Sequence, residues 1–210
     1  MPQVQPAADA RAADRLILFS DAVFAIAITL LAIDLPVPHG STASAFLKSA
    51  QDNDGHYAAF LISFAVIAAA WNSHHNLFRY TTRVDGRLRT FNTAWLMMIV
   101  LNPFATRLLT AQHEQDLDVH ALRFGFYALL QLLASLFLFA MLRHMVAYLQ
   151  AQGAPRSTVS GIAWQCYHQM LGFGLSIPLF FVTGDAWLLW FAVPLLLIRL
   201  RLRPREPAKP

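Results

Sequence analysis

RLILFSDAVFAIAITLLAIDLPVP, residues 15 to 38, decides how this chain is read. It holds about the 20 mostly apolar residues that a bilayer-crossing helix needs, so it reads as a transmembrane span. Pro36 and Pro38 stop it, because proline has no backbone donor and pushes its predecessor out of helical geometry. Yet Ser20 and Asp21 sit inside the run. An ionisable group at such depth costs on the order of 3 kcal/mol on insertion scales, so it normally faces protein or water rather than lipid.

The rest of the chain has the same character. Its 210 residues are 57% hydrophobic and only 13% charged, with a mean hydropathy of +0.45, which points to an integral membrane protein. The net charge of +4 lies beside apolar spans, so it argues for membrane topology and against a nucleic-acid partner. No apolar core precedes a small-residue cleavage site near the N-terminus, so no removed signal peptide is expected. The single cysteine, Cys166, falls in mid-span without a partner and reads as a small packing residue.

Working outward from the opening stretch, six spans are expected, at 15–35, 57–78, 89–109, 122–146, 159–182 and 186–202. The turn-rich Asp52-Asn53-Asp54-Gly55 precedes the second. Pro103, Pro178 and Pro194 are candidate kink sites in the third, fifth and sixth. The apolar run of the sixth is short, and needs Arg199 and Arg201 to snorkel. With six spans, Arg11, Arg15, Arg79, Arg83, Arg87, Arg89, Arg143, Arg156 and the basic stretch from Arg199 to Lys209 share one side. Lys48, Arg107 and Arg123 lie on the other, with Asp52, Asp54, Glu114, Asp116, Asp118 and Asp185. The positive-inside rule then puts both termini in the cytoplasm of a multi-pass inner-membrane protein.

Helical geometry at 100° per residue sorts the first span into faces. Relative to Ile26, Phe19 and Ile33 fall within about 20°, and Ala22 and Leu30 within about 40°. Ser20 points about 120° away and Asp21 about 140° away. Asp21 lies roughly 9 Å inside Arg15, a depth shared by Trp71, Asn72, Ser73, His74 and His75 of the second span and by Asn92 of the third. A carboxylate accepting bonds from an indole, an amide or an imidazole has its burial cost offset, so a helix-packing network is the plain expectation. A proton relay through Asp21 and His74 or His75 is the alternative. A metal site is a third reading, but His74 and His75 are adjacent and point about 100° apart, unlike the i, i+4 pair of a helical zinc motif.

Arg15-Leu-Ile-Leu-Phe19-Ser20-Asp21, with Ala22 to Leu31 after it, resembles the Arg-x-x-x-Phe-Ser-Asp signature and first helix of the TMEM175 family of potassium channels. Trp71, His74 and His75 at the end of the second span and Leu101-Asn102-Pro103-Phe104 in the third extend the likeness. The animal members carry two six-span repeats and this chain one, as in the prokaryotic form. The resemblance implies an all-α membrane protein that assembles as a homotetramer around a pore lined by the first helix of each subunit. The span reading then divides the chain into a polar cytoplasmic N-terminus (1–14), a six-helix transmembrane channel domain (15–202) and a basic cytoplasmic tail (203–210).

Carried over residue by residue, the resemblance places the pore constriction on Ile26, with Leu30 and Ile33 one and two turns further out, and cation preference on Thr29. It places Arg15, Phe19, Ser20, Asp21, Trp71, His74, His75 and Asn92 in a structural polar network. The chain departs from the animal first repeat at Ala25, where that repeat has a hydroxyl residue. No cofactor is implied beyond permeant potassium ions. A narrow apolar ring gates by dewetting, because it offers a cation nothing to replace its hydration shell. Without the resemblance, the Ile26, Leu30, Ile33 stripe reads as a helix-packing seam.

Two rival functions follow from the same residues. Asp21, His74 and His75 at one depth suggest a proton-coupled transporter, and a bundle without transport of its own suggests a small assembly partner. An enzyme is disfavoured, since the chain has no His-Glu-x-x-His and no Gly-x-Ser-x-Gly segment.

Overall fold

The computed structural model describes residues 4–111, 117–183 and 186–199, and every regular element among them is helical. These are α1 (Val4–Ile33), α2 (Ala43–Gln51), α3 (Asp54–Phe78), α4 (Gly86–Thr110), α5 (Leu117–Ala151), α6 (Arg156–Phe180), a 3-10 turn at Ala186–Leu188 and α7 (Leu189–Arg199). Each expected span has a helical counterpart. Three helical stretches, Ala10–Ile33, Asp54–Phe78 and Asp118–Ala151, are long and apolar enough to cross a membrane by themselves. Glu114, Asp116, Asp185, Arg201, Arg203, Arg205 and Lys209, which weigh on orientation, lie outside the described residues, as does the end of the sixth expected span.

The first helix starts well ahead of Arg15, at Val4. The extension is Ala-rich, and alanine has the highest helix propensity, so the polar N-terminal segment continues the helix. The helix ends at Ile33 with one further turn bond, Leu35 N to Ala32 O at 3.3 Å, before Pro36. The loop beyond it contains α2, which the sequence reading did not anticipate. Thr42 caps α2 by accepting from Ala45 N at 3.2 Å, and Lys48 in the last turn complements the helix dipole. Tyr57 then ties this loop to α3, its hydroxyl donating to Pro36 O at 2.8 Å.

Packing follows chain order with one closure. α1 lies on α3 and α4, which also touch each other, while α4, α5, α6 and α7 pack as successive neighbours and α3 also contacts α6. Gly153, with φ +79°, supplies the left-handed residue that ends α5, and Ala154 N bonds back to Leu149 O at 2.9 Å. Trp190 of α7 donates its indole N–H to Ser176 Oγ of α6 at 3.0 Å. The core is Phe24, Ile67, Leu77, Trp95, Ile99, Tyr127, Leu138 and Met141. Cys166 is fully buried within the same core.

Lipid tails are as apolar as leucine, so close packing and interhelical hydrogen bonds hold such a bundle together, the bonds contributing about 0.6–2 kcal/mol each. Thr106 Oγ1 of α4 donates to Ser63 Oγ of α3 at 2.7 Å, and Ser63 pairs with the Tyr127 hydroxyl of α5 at 3.1 Å. Ser73 of α3 donates to Gln165 of α6, whose amide returns a bond to Ala69 O at 3.1 Å. Pro103, Pro178 and Pro194 all sit inside continuous helices.

Candidate functional site

The two faces of α1 have opposite fates. Ser20, Phe24, Ala27 and Leu31 are buried against α3 and α4. On the opposite face Phe19 is 61% exposed, Ile26 58%, Leu30 41% and Ile33 74%. Ala22, Ala25 and Thr29 are exposed beside them. The stripe is therefore not a packing seam within the subunit. Thr29 Oγ1 donates to Ile26 O at 2.9 Å, which fixes the rotamer and leaves the oxygen's lone pairs on the exposed side.

The inner face is anchored by polar groups from two other helices. Asn92 of α4 donates through Nδ2 to Ser20 Oγ at 3.1 Å, and its Oδ1 meets His74 Nε2 of α3 at 2.9 Å. Ser20 Oγ in turn donates to Leu16 O at 2.8 Å. All three of these side chains are fully buried. The His74 ring is clamped between aromatics, stacked on Trp95 at 4.9 Å and on Phe78 at 4.3 Å. Phe24 of α1 packs edge-on against Trp95 at 5.3 Å. Beside this triad, Trp71 Nε1 donates to Asp21 Oδ1 at 2.9 Å.

The residues read together from the sequence thus divide. Ser20, Asn92 and His74 form one bonded chain, and Asp21 with Trp71 forms a second. His74 Nδ1 has no hydrogen-bond partner among the described residues, so the first chain ends at that ring and does not run on to Asp21. His75 is exposed and lies against Trp71 at 5.6 Å between ring centres. Arg15 is exposed, and Phe19 belongs to the outward stripe. Among the described residues no group of three or more His, Cys, Asp or Glu side chains is placed to hold a metal ion.

Two further features flank α1. At its far end Asp34 pairs with Arg107 of α4 at 3.4 Å, on the rim of a cavity of about 430 Å³ walled by Leu31, His56, Phe60 and Pro103. At the other end of the bundle, Asp85 caps α4 by accepting from Leu88 N at 2.8 Å and binds His144 Nε2 of α5 at 2.7 Å. These two bonds, the backbone one first, hold the Asp85 carboxyl below its ordinary value. The sequence reading missed this pair, although Asp85-Gly86 before an apolar-periodic run is an N-cap signal.

A helical bundle with three helices long and apolar enough to cross a membrane, and one apolar face of its first helix turned outward, is that of an all-helical membrane protein. The family model described as the endosomal/lysosomal potassium channel TMEM175 matches residues 15–103. A protein named as a potassium channel from Streptomyces collinus is 38% identical over 106 residues, 50% of this chain and 52% of the relative. Another from Chamaesiphon minutus is 39% identical over 97 residues, 45% of this chain and 48% of its own length. The mouse protein named endosomal/lysosomal proton channel TMEM175 is 32% identical over 50% of this chain and 21% of its own. The chain thus matches about half the length of its bacterial curated relatives. The crystal structure of a lysosomal potassium-selective channel TMEM175 homolog from Chamaesiphon minutus superposes with a TM-score of 0.70 at 29% identity, over 92% of this chain and 98% of that one. The resemblance read from the sequence is thereby borne out: residues 15–103 match the TMEM175 family model, and the chain shares the fold of a solved bacterial TMEM175 homolog.

Proposed function

We propose that this protein is a potassium-selective cation channel of the plasma membrane, a homotetramer whose pore is lined by α1 and closed by Ile26, with Leu30 and Ile33 further out. The observation that carries the reading is the outward Phe19, Ile26, Leu30, Ile33 stripe, in line along one helix while the opposite face is buried. An apolar ring built from several copies of Ile26 would dewet and block ions, and moving α1 outward would rewet it. Thr29, next to Ile26 on the exposed side, supplies the oxygen nearest the ring and is assigned to cation preference. Ser20, Asp21, Trp71, His74 and Asn92 hold α1 in register with α3 and α4. In this reading the chain crosses the membrane six times with both termini in the cytoplasm.

The test is reconstitution into liposomes and measurement of the reversal potential under a potassium/sodium gradient. Movement toward the potassium equilibrium potential supports the proposal; absence of current, or no movement, contradicts it. A proton-conducting reading is favoured by one observation, the name of the mouse relative as a proton channel. It predicts instead a reversal potential that follows the pH gradient.

A further inference from the structure

Away from α1, the interior of the subunit holds a polar site that the pore does not use. A cavity of about 10 Å³ lies among α3, α4, α5 and α6, with apolar walls that include Ile67, Trp95 and Leu138. Asn102 and Gln131 also line it, and they are 1% and 3% exposed. Asn102 Oδ1 lacks a hydrogen-bond partner among the described residues, and Gln131 Nε2, whose one polar neighbour of note is the Tyr127 hydroxyl, makes no bond of good geometry. One is an acceptor and the other a donor, and leaving both unmet is costly enough that native structures rarely do so.

A third group comes from a residue that lines the same cavity. Pro103 has no N–H, so the carbonyl of Ile99, four residues earlier in α4, loses its helical donor. Ile99 lines this cavity too. Proline is accommodated in membrane helices where a water or a neighbouring side chain satisfies the freed carbonyl. A space of about 10 Å³ admits roughly one water, and buried waters typically make about three hydrogen bonds.

We propose that this cavity binds a single structural water, which accepts from Gln131 Nε2 and donates to Asn102 Oδ1 and to the Ile99 carbonyl. The water joins α4 to α5 across the proline and gives each of the three groups a hydrogen-bond partner. Ser135 and Gln169, at the edge of the site, already bond each other at 3.2 Å and are not needed for it. An inorganic cation does not suit the site, because the amide N–H of Gln131 would oppose it.

The test is a structure of the purified protein at a resolution that shows ordered waters. A density peak about 2.7–3.2 Å from both Asn102 Oδ1 and Gln131 Nε2 is expected. A dry cavity, or Asn102 and Gln131 turned to bond each other directly, overturns the proposal. A double-mutant cycle in detergent supplies a second readout. Asn102→Leu and Gln131→Met are each expected to lower Tm by roughly 2–6 °C. The double variant should lose clearly less than the sum, since the second substitution removes a group already deprived of its water. Additive losses would count against a shared water.

Discussion

Trp71 Nε1 and Asp21 Oδ1 meet at 2.9 Å, joining the end of α3 to the one acidic residue in the apolar run of α1, while Ile26 on the other side of that helix stands exposed. The carboxylate is therefore turned toward a neighbouring helix and away from the proposed pore. Its role in the account is to hold α1 in place.

Replacing Asp21 by alanine is expected to lower assembly yield and thermal stability by about 1 kcal/mol, near the middle of the range for interhelical bonds in membranes. Trp71→Phe should reproduce most of that loss, since it removes the donor and keeps the ring. Size-exclusion profiles and thermal unfolding in detergent read the effect. A variant Asp21→Ala that assembles normally but loses current would assign the carboxylate to permeation.

Asn92→Leu should cost more than Asp21→Ala. Asn92 bonds both Ser20 and His74 within a fully buried triad, so its loss leaves His74 Nε2 unmet, at about 1–3 kcal/mol, and deprives Ser20 Oγ, which still donates to Leu16 O, of its donor. A fall in Tm larger than that of Asp21→Ala is the expected result. Equal or smaller losses would show that the triad is not the stronger brace.

Ile26→Asn is expected to raise conductance severalfold, because a ring of amides rewets the constriction. Thr29→Ala should leave current but reduce the shift of the reversal potential toward potassium. Both are read by liposome flux and planar-bilayer recording. Unchanged current in Ile26→Asn would remove that residue from the gate.

The Asp85 and His144 contact makes a prediction about acid. The carboxyl is held below the ordinary carboxylate value of 3.8, mainly by the Leu88 amide and next by His144, so the ionised form stabilises the folded state. That contribution is full above the unfolded-state value and is lost as pH falls through the lower folded-state value. Asp85→Ala should therefore destabilise the protein by about 1 kcal/mol at neutral pH, the usual worth of a helix cap. The gap to the parent protein should narrow below about pH 3.8. Asp85→Asn, which keeps an acceptor for the Leu88 amide, should retain most of the cap.

The helical nature of the chain was readable without coordinates because its apolar runs are long enough to cross a bilayer, and the two faces of α1 because the helical turn puts Ser20 and Asp21 on a different side from Ile26. The 100° step that turns Asp21 from Ile26 is the same step that separates His74, buried against Asn92, from His75, exposed beside Trp71. Depth alone grouped the two histidines; azimuth divides them. Ser63, Thr106 and Tyr127 could not be paired in advance, since each is one of several hydroxyls on its helix and their meeting depends on how α3, α4 and α5 are rotated. Phe19, grouped with the polar residues through the family motif, lies on the apolar stripe where the helical wheel alone puts it. The helix α2 was hidden because nine residues between proline and glycine turns carry too short a periodic signal.

In the proposed channel, copies of the exposed α1 stripe enclose the pore. A structure of the purified particle in lipid, with its symmetry determined and the residues on its axis identified, tests it most directly. A tetramer is expected, with Ile26, Leu30 and Ile33 of every subunit facing the axis and Asp21 turned away toward Trp71. A monomeric particle, or an axis lined by another helix with the α1 stripe facing lipid, would contradict it.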